Sequence, residues 1–122
     1  VSTDTRHVHG RAAEDAALRH LERQQLTLVA RNYRCRRGEI DLILRHGNVL
    51  VFAEVRFRSN PRFGDGSASI TRTKRQRIIA AARDFLGSRC RPPWPACRFD
   101  VLSVRQPNYQ VDWVVDAFTT DD

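Results

Sequence analysis

Apolar residues recur along this chain with two different periods, and the changes of period mark its elements. Residues 9–25, HGRAAEDAALRHLERQQ, interleave alanine and leucine with charges, and Leu18 and Leu21 mark one helical stripe. Residues 26–35, LTLVARNYRC, read as a strand. Residues 39–58 read as two more strands around a tight turn at Gly47–Asn48, a pair suited to a type I′ or II′ hairpin. A polar loop with Pro61, Gly64 and Gly66 follows at 59–69. TRTKRQRIIAAARDFLG, 71–87, predicts a second amphipathic helix, with Thr71 placed to cap it and Gly87 to end it. RCRPPWP, 89–95, is too rich in proline for regular structure. ACRFDVLSV and YQVDWVVDAF predict two final strands joined at RQPN. The order α-β-β-β-α-β-β has no repeat and no dividing linker. It predicts one α/β domain over residues 1–122, a mixed sheet flanked by two helices, with residues 1–8 expected to be disordered.

The hairpin raises a chemical question. If Gly47–Asn48 forms the turn, Ile43 faces Phe52, Leu42 faces Ala53, Asp41 faces Glu54 and Glu39 faces Arg56. Side chains alternate between the faces of a strand. Regular alternation therefore puts Glu39, Asp41, Glu54 and Arg56 on one face, and Ile40, Leu42, Leu44, Val51, Ala53 and Val55 on the other. Two carboxylates opposed in a sheet repel each other, and partial burial raises the pKa of one. A positive group between them removes that conflict, and a divalent metal such as Mg²⁺ suits one or two carboxylates plus water and phosphate. The alternative is a solvated polar face in which Arg56 pairs with Glu39. Glu14 lies four residues before Leu18 and seven before Leu21, on the same helical stripe. It is either directed inward or an exposed acid favoured by the start of the helix.

Charge points to the partner. The 122 residues carry a net charge of +7, and the pI is about 10.6. That balance favours an anionic partner, most often nucleic acid. Of the 21 basic residues 20 are arginine and only Lys74 is lysine, so arginine in place of lysine also reflects general composition. Arg34, Arg36 and Arg37, then Arg58 and Arg62, then Arg72, Lys74 and Arg75 flank the proposed site in sequence and are candidate phosphate contacts. Phe63 in the 59–69 loop is a weaker candidate for base stacking. Cys35, Cys90 and Cys97 are odd in number and lack CxxC spacing, which argues against a zinc site or disulfide framework and suggests free thiols. His7, His9, His20 and His46 show no ligand spacing. No segment is apolar enough to span a membrane, and VSTDTRHVHG has no apolar signal region. These features predict no membrane partner and a cytoplasmic location.

Asp41 followed thirteen residues later by Glu54-Val55-Arg56 resembles the PD-(D/E)xK nuclease pattern. Over almost the whole chain, GRAAEDAAL, RNYRCRRGEIDLI, VFAEVRFR, FGDG, ITRTKRQRI and RFDVLSV together resemble the bacterial UPF0102 or YraN-like family, which is similar to archaeal Holliday-junction resolvases. The resemblance implies a restriction-endonuclease-like core and a nuclease using Mg²⁺ or Mn²⁺ on DNA, with branched or structured DNA as the substrate class. By position, Asp41 matches the metal-binding aspartate, Glu54 the acidic residue of the (D/E)xK element, and Glu14 a first-helix glutamate of the metal shell. It also raises a homodimer, because a junction is two-fold symmetric, with RPPWPACRF as the candidate apolar surface.

The chain departs from that pattern at Arg56, where lysine is expected. Lysine can lose its proton and help activate water; arginine cannot. Arg56 keeps an electrostatic role in steadying phosphate charge. Lys74 lies on the face of the second helix that carries Ile78, Ala81, Ala82 and Phe85, which offers it as a replacement catalytic group or as a simple phosphate contact. Two other readings stand beside the enzyme: a nucleic-acid-binding module that kept the nuclease fold without turnover, and a protein-interaction subunit.

Overall fold

The computed structural model describes residues 5–58 and 70–121. Its elements follow the predicted order: α1 (Thr5–Arg23), β1 (Thr27–Cys35), β2 (Gly38–His46), β3 (Val49–Arg58), α2 (Arg72–Arg89), β4 (Ala96–Arg105) and β5 (Gln110–Phe118). The strands form one sheet in the order β1-β2-β3-β4-β5. All neighbours are antiparallel except β3 and β4, which are parallel with α2 as their crossover. The result is the mixed α/β sheet expected, in keeping with a restriction-endonuclease-like core. No helix among the described residues is long and apolar enough to cross a membrane.

The β2–β3 hairpin has the predicted register, from His46 opposite Val49 to Leu42 opposite Ala53. Gly47 has φ +62° while Asn48 is not left-handed, the pattern of a II′ turn, whose first central position favours glycine. The two sheet faces are covered by different helices. Ala13, Ala16, Ala17 and Leu21 of α1 pack on Leu42, Leu44, Val51, Ala53, Leu102 and Val104. Ile78, Ile79, Ala81, Ala82 and Phe85 of α2 pack on Ile40, Ile43, Phe52, Phe99 and Val101. Three alanines on the buried side of α1 let its backbone lie close to the sheet, which carries the neighbouring Glu14 toward β2.

Gly38 sets the position of α2. A Cβ there would sit 2.1 Å from the Arg77 carbonyl oxygen, so only glycine admits the helix at this distance. The Thr71 hydroxyl caps α2 by accepting the Lys74 N–H at 3.2 Å, as the sequence suggests.

Three expectations need correction, and one contact was not foreseen. The helix does not end at Gly87 but continues to Arg89, where the Cys90 N–H still reaches the Leu86 carbonyl. Helix α1 begins at Thr5, earlier than the pattern placed it; residues 1–4 of the expected disordered terminus lie outside the described residues. Glu39 meets Arg34 across β1–β2 at 3.3 Å, because those two residues are opposed in register. Finally, Ile40 does not share a face with Leu42 and Leu44: it packs with Ile43 under α2. Two residues on one face separated by three positions mean that alternation breaks at Asp41 and Leu42.

Candidate active site

That break is where β2 and β3 part. Their ladder stops at Leu42 and Ala53, one step before Asp41 and Glu54. In place of a main-chain partner, the Val55 N–H donates to Asp41 Oδ2 at 2.8 Å. The Asp41 side chain thus closes the end of the ladder and meets Glu54 in the gap. Glu54 is buried. Burial, then the charge of Glu54, the hydrogen bond with it and the charge of Glu14 push the Asp41 carboxyl up to about 8, against a downward pull from the Val55 N–H. Two carboxyls share a pocket that does not accommodate two negative charges.

Lys74 meets this pair from the first turn of α2. Its Nζ lies 2.8 Å from Glu54 Oε2. The hydrogen bond to Glu54 holds the Lys74 ammonium above its usual range, with the charges of Glu54, Asp41 and Glu39 adding to it. Lys74 is therefore a cation in this arrangement and not a proton acceptor. Arg56, two residues after Glu54, is half-buried on β3 beside Ser103 of β4.

Glu14 faces the same region, since its charge acts on Asp41, but it is engaged by Arg31. Arg31 Nε lies 3.4 Å from Glu14 Oε1, and Nη2 lies 2.6 Å from Asp15 Oδ1. Arg31 sits opposite Leu42 in register. It lines an open cleft of about 570 Å³ together with Arg11, Glu14, Asp15, Arg34 and Asp41. Sequence reading missed Arg31: a contact spanning 17 positions leaves no periodic signal, and its one visible hint was a charged residue inside an otherwise half-buried strand.

Among the described residues no three His, Cys, Asp or Glu side chains are grouped closely enough to hold a metal ion. The chemistry of the inner pair nonetheless fits a hard divalent cation: two opposed carboxyls, the Asp41 one held toward its protonated form by burial and by Glu54, are the donors Mg²⁺ or Mn²⁺ takes. Asp41 and Glu54 would hold it, while Glu14 stands behind the Arg31 contact.

The proposed phosphate contacts divide by environment. Arg36, Arg37 and Arg72 are exposed. Arg36 and Arg37 line a cleft of about 320 Å³ with Arg83 and Asp84. Arg34 is exposed beside Glu39. Arg75 is turned inward, its Nη1 donating to the Ile70 carbonyl, and Arg58 is half-buried at the end of β3. Arg62 and Phe63 lie outside the described residues. The three cysteines are free thiols. Sequence reading also missed Asp100. It is fully buried and accepts from Arg98, from Trp113 Nε1 at 2.9 Å and from the Asp116 N–H at 3.0 Å. These bonds tie down the irregularity in β5 opposite Phe99–Val101, a structural use of a buried acid.

Comparison with known proteins agrees with the sequence resemblance. A UPF0102 protein of Dechloromonas aromatica is 49% identical, the alignment covering 99% of this chain and 97% of that one. A UPF0102 protein of Ralstonia pickettii is 48% identical over 92% of this chain and 90% of its own. One from Saccharophagus degradans is 45% identical over 93% and 94%. The model of the uncharacterised protein family UPF0102 matches residues 13–104, a span that contains Glu14, Arg31, Asp41, Glu54, Arg56 and Lys74. The chain belongs to the uncharacterised protein family UPF0102.

Proposed function

We propose that this chain is a Mg²⁺- or Mn²⁺-dependent nuclease that hydrolyses DNA phosphodiester bonds, with branched or structured DNA as its substrate class. The observation that carries the reading is the pair Asp41 and Glu54, opposed where the β2–β3 ladder opens, with the Asp41 carboxyl pushed up by burial and by Glu54. A cation held by Asp41 and Glu54 would supply a water of lowered pKa and neutralise phosphate charge. To receive it, Asp41 gives up its proton. Lys74 and Arg56, both on the Glu54 side, steady the negative charge that grows on the phosphate. Neither serves as the base: the Lys74 ammonium is stabilised by Glu54, and a guanidinium does not release its proton in this range. The choice of branched DNA rests on the likeness to junction resolvases.

A second reading has its own support. Lys74 already neutralises Glu54, Arg31 already engages Glu14, and arginine replaces the expected lysine at position 56. Those features suit a nucleic-acid-binding module without turnover. Branched, single-stranded and duplex DNA incubated with Mg²⁺ or Mn²⁺ separates the two, with Asp41→Ala as control. The nuclease gives cleavage that needs the cation and disappears in Asp41→Ala. Salt-sensitive binding with no cleavage on any of the three substrates rejects the nuclease and selects the module.

A further inference from the structure

We propose that Arg31 is a positioning residue that keeps Glu14 away from the cation-binding pair until a substrate phosphate draws its guanidinium off. Cation and nucleic acid would then bind cooperatively at this site. The inference rests on the metal-dependent reading above and adds a device to it.

The two Arg31 contacts are unequal. The bond to Asp15 is short at 2.6 Å, and the approach to Glu14 is long at 3.4 Å. The guanidinium is thus anchored on Asp15 and leans on Glu14, the arrangement in which one partner is readily exchanged for a better one. Phosphate is such a partner, because it accepts two parallel N–H bonds from one guanidinium. Access is available, since Arg31 lines the open cleft and its side chain is 30% exposed. Position is suitable as well: Arg31 stands opposite Leu42, one residue from Asp41. While Arg31 neutralises Glu14, that carboxylate adds little to the attraction for a cation at Asp41 and Glu54. Once a phosphate takes the guanidinium, the freed charge strengthens it. Linkage makes the effect mutual: a bound cation that attracts Glu14 releases Arg31 for the phosphate.

The test is a calorimetric titration of the full chain with Mn²⁺ alone, without DNA, comparing wild type with Arg31→Gln, Arg31→Lys, Arg11→Gln and Asp41→Ala. Arg31→Gln is expected to bind Mn²⁺ roughly 5- to 10-fold more tightly, a modest coupling. Arg31→Lys restores the weaker wild-type affinity, and Asp41→Ala abolishes binding. Arg11→Gln removes the same charge from the same cleft and is expected to change affinity by less than about 2-fold. Wild-type binding that is unchanged in Arg31→Gln, or equally tightened in Arg11→Gln, overturns the role of Arg31 and leaves the metal site standing. Absence of Mn²⁺ binding in every protein, Arg31→Gln included, overturns both.

Discussion

Asp41 is the residue on which the site turns, and its proton gives a sharp prediction. Folded Asp41 keeps that proton up to about pH 8, whereas the ordinary value is 3.8. Between those limits the folded state binds more protons than the unfolded one, so stability falls as pH rises. The protonated pair's contribution is complete below the lower limit and lost as pH passes the upper one. At about 1.4 kcal/mol per pH unit, and allowing for a proton shared with Glu54, the loss is on the order of 2–4 kcal/mol. Asp41→Asn keeps an oxygen for the Val55 N–H and removes the titration. In chelator it is expected to match wild type near pH 4 and exceed it by that margin near pH 9, measured by urea unfolding. Adding Mn²⁺ at the higher pH should stabilise wild type and leave Asp41→Asn unmoved. A wild-type curve flat between these limits would refute the shared-proton description. Asp41 and Glu54 could be brought together from sequence because counting from the Gly47–Asn48 turn opposes them, and Lys74 was singled out because it lies one helical turn before Ile78. The Arg34 contact of Glu39 was not foreseen because opposition was considered only across β2–β3, while Arg34 lies across β1–β2.

Among the elements, α2 has the most demanding placement. It spans β3 to β4, covers one sheet face and delivers Lys74 to Glu54, and its closest approach is at Gly38. Gly38→Ala sets a methyl against the Arg77 carbonyl, a main-chain atom with no rotamer to escape through. Displacement of the helix is expected to cost about 1–3 kcal/mol, read as a lower urea midpoint, with reduced DNA affinity from the misplaced Lys74. A midpoint equal to wild type would mean that α2 is less tightly docked than described. Gly47→Ala, at φ +62° with open space around it, should cost only about 1 kcal/mol, from backbone conformation alone. The hairpin register was readable because its turn and two apolar faces each demand the same alignment. The break at Asp41–Leu42 was not, since residue types alone do not reveal where two strands separate. The parallel β3–β4 pairing was likewise hidden, because a crossover helix and its strands look the same in sequence whatever neighbour they choose.

At the scale of the whole molecule, a net charge of +7 made almost entirely of arginine does not by itself locate a binding surface, because arginines here do different work. Arg98 is held by the fully buried Asp100 at 3.0 Å, and Arg105 meets Asp112 at 2.9 Å. Arg75 is turned to the Ile70 carbonyl. These guanidiniums are committed within the fold. Arg36, Arg37 and Arg83 instead meet around one open cleft on the flank of α2, where a phosphate contact can be tested separately from the committed arginines. Salt dependence distinguishes the two groups, since each duplex phosphate neutralised contributes about 0.9 to the slope of log affinity against log salt. The pair Arg36→Ala and Arg37→Ala is expected to lower that slope by about 1 to 2, measured by fluorescence anisotropy on a short duplex at several salt concentrations. Arg75→Ala should leave the slope unchanged. Arg98→Ala should leave it unchanged too while lowering the unfolding free energy from urea titration by about 3 kcal/mol, because it strands a buried carboxylate. An equal fall in slope for all of these variants would mean that the molecule attracts nucleic acid through diffuse charge, with no oriented surface.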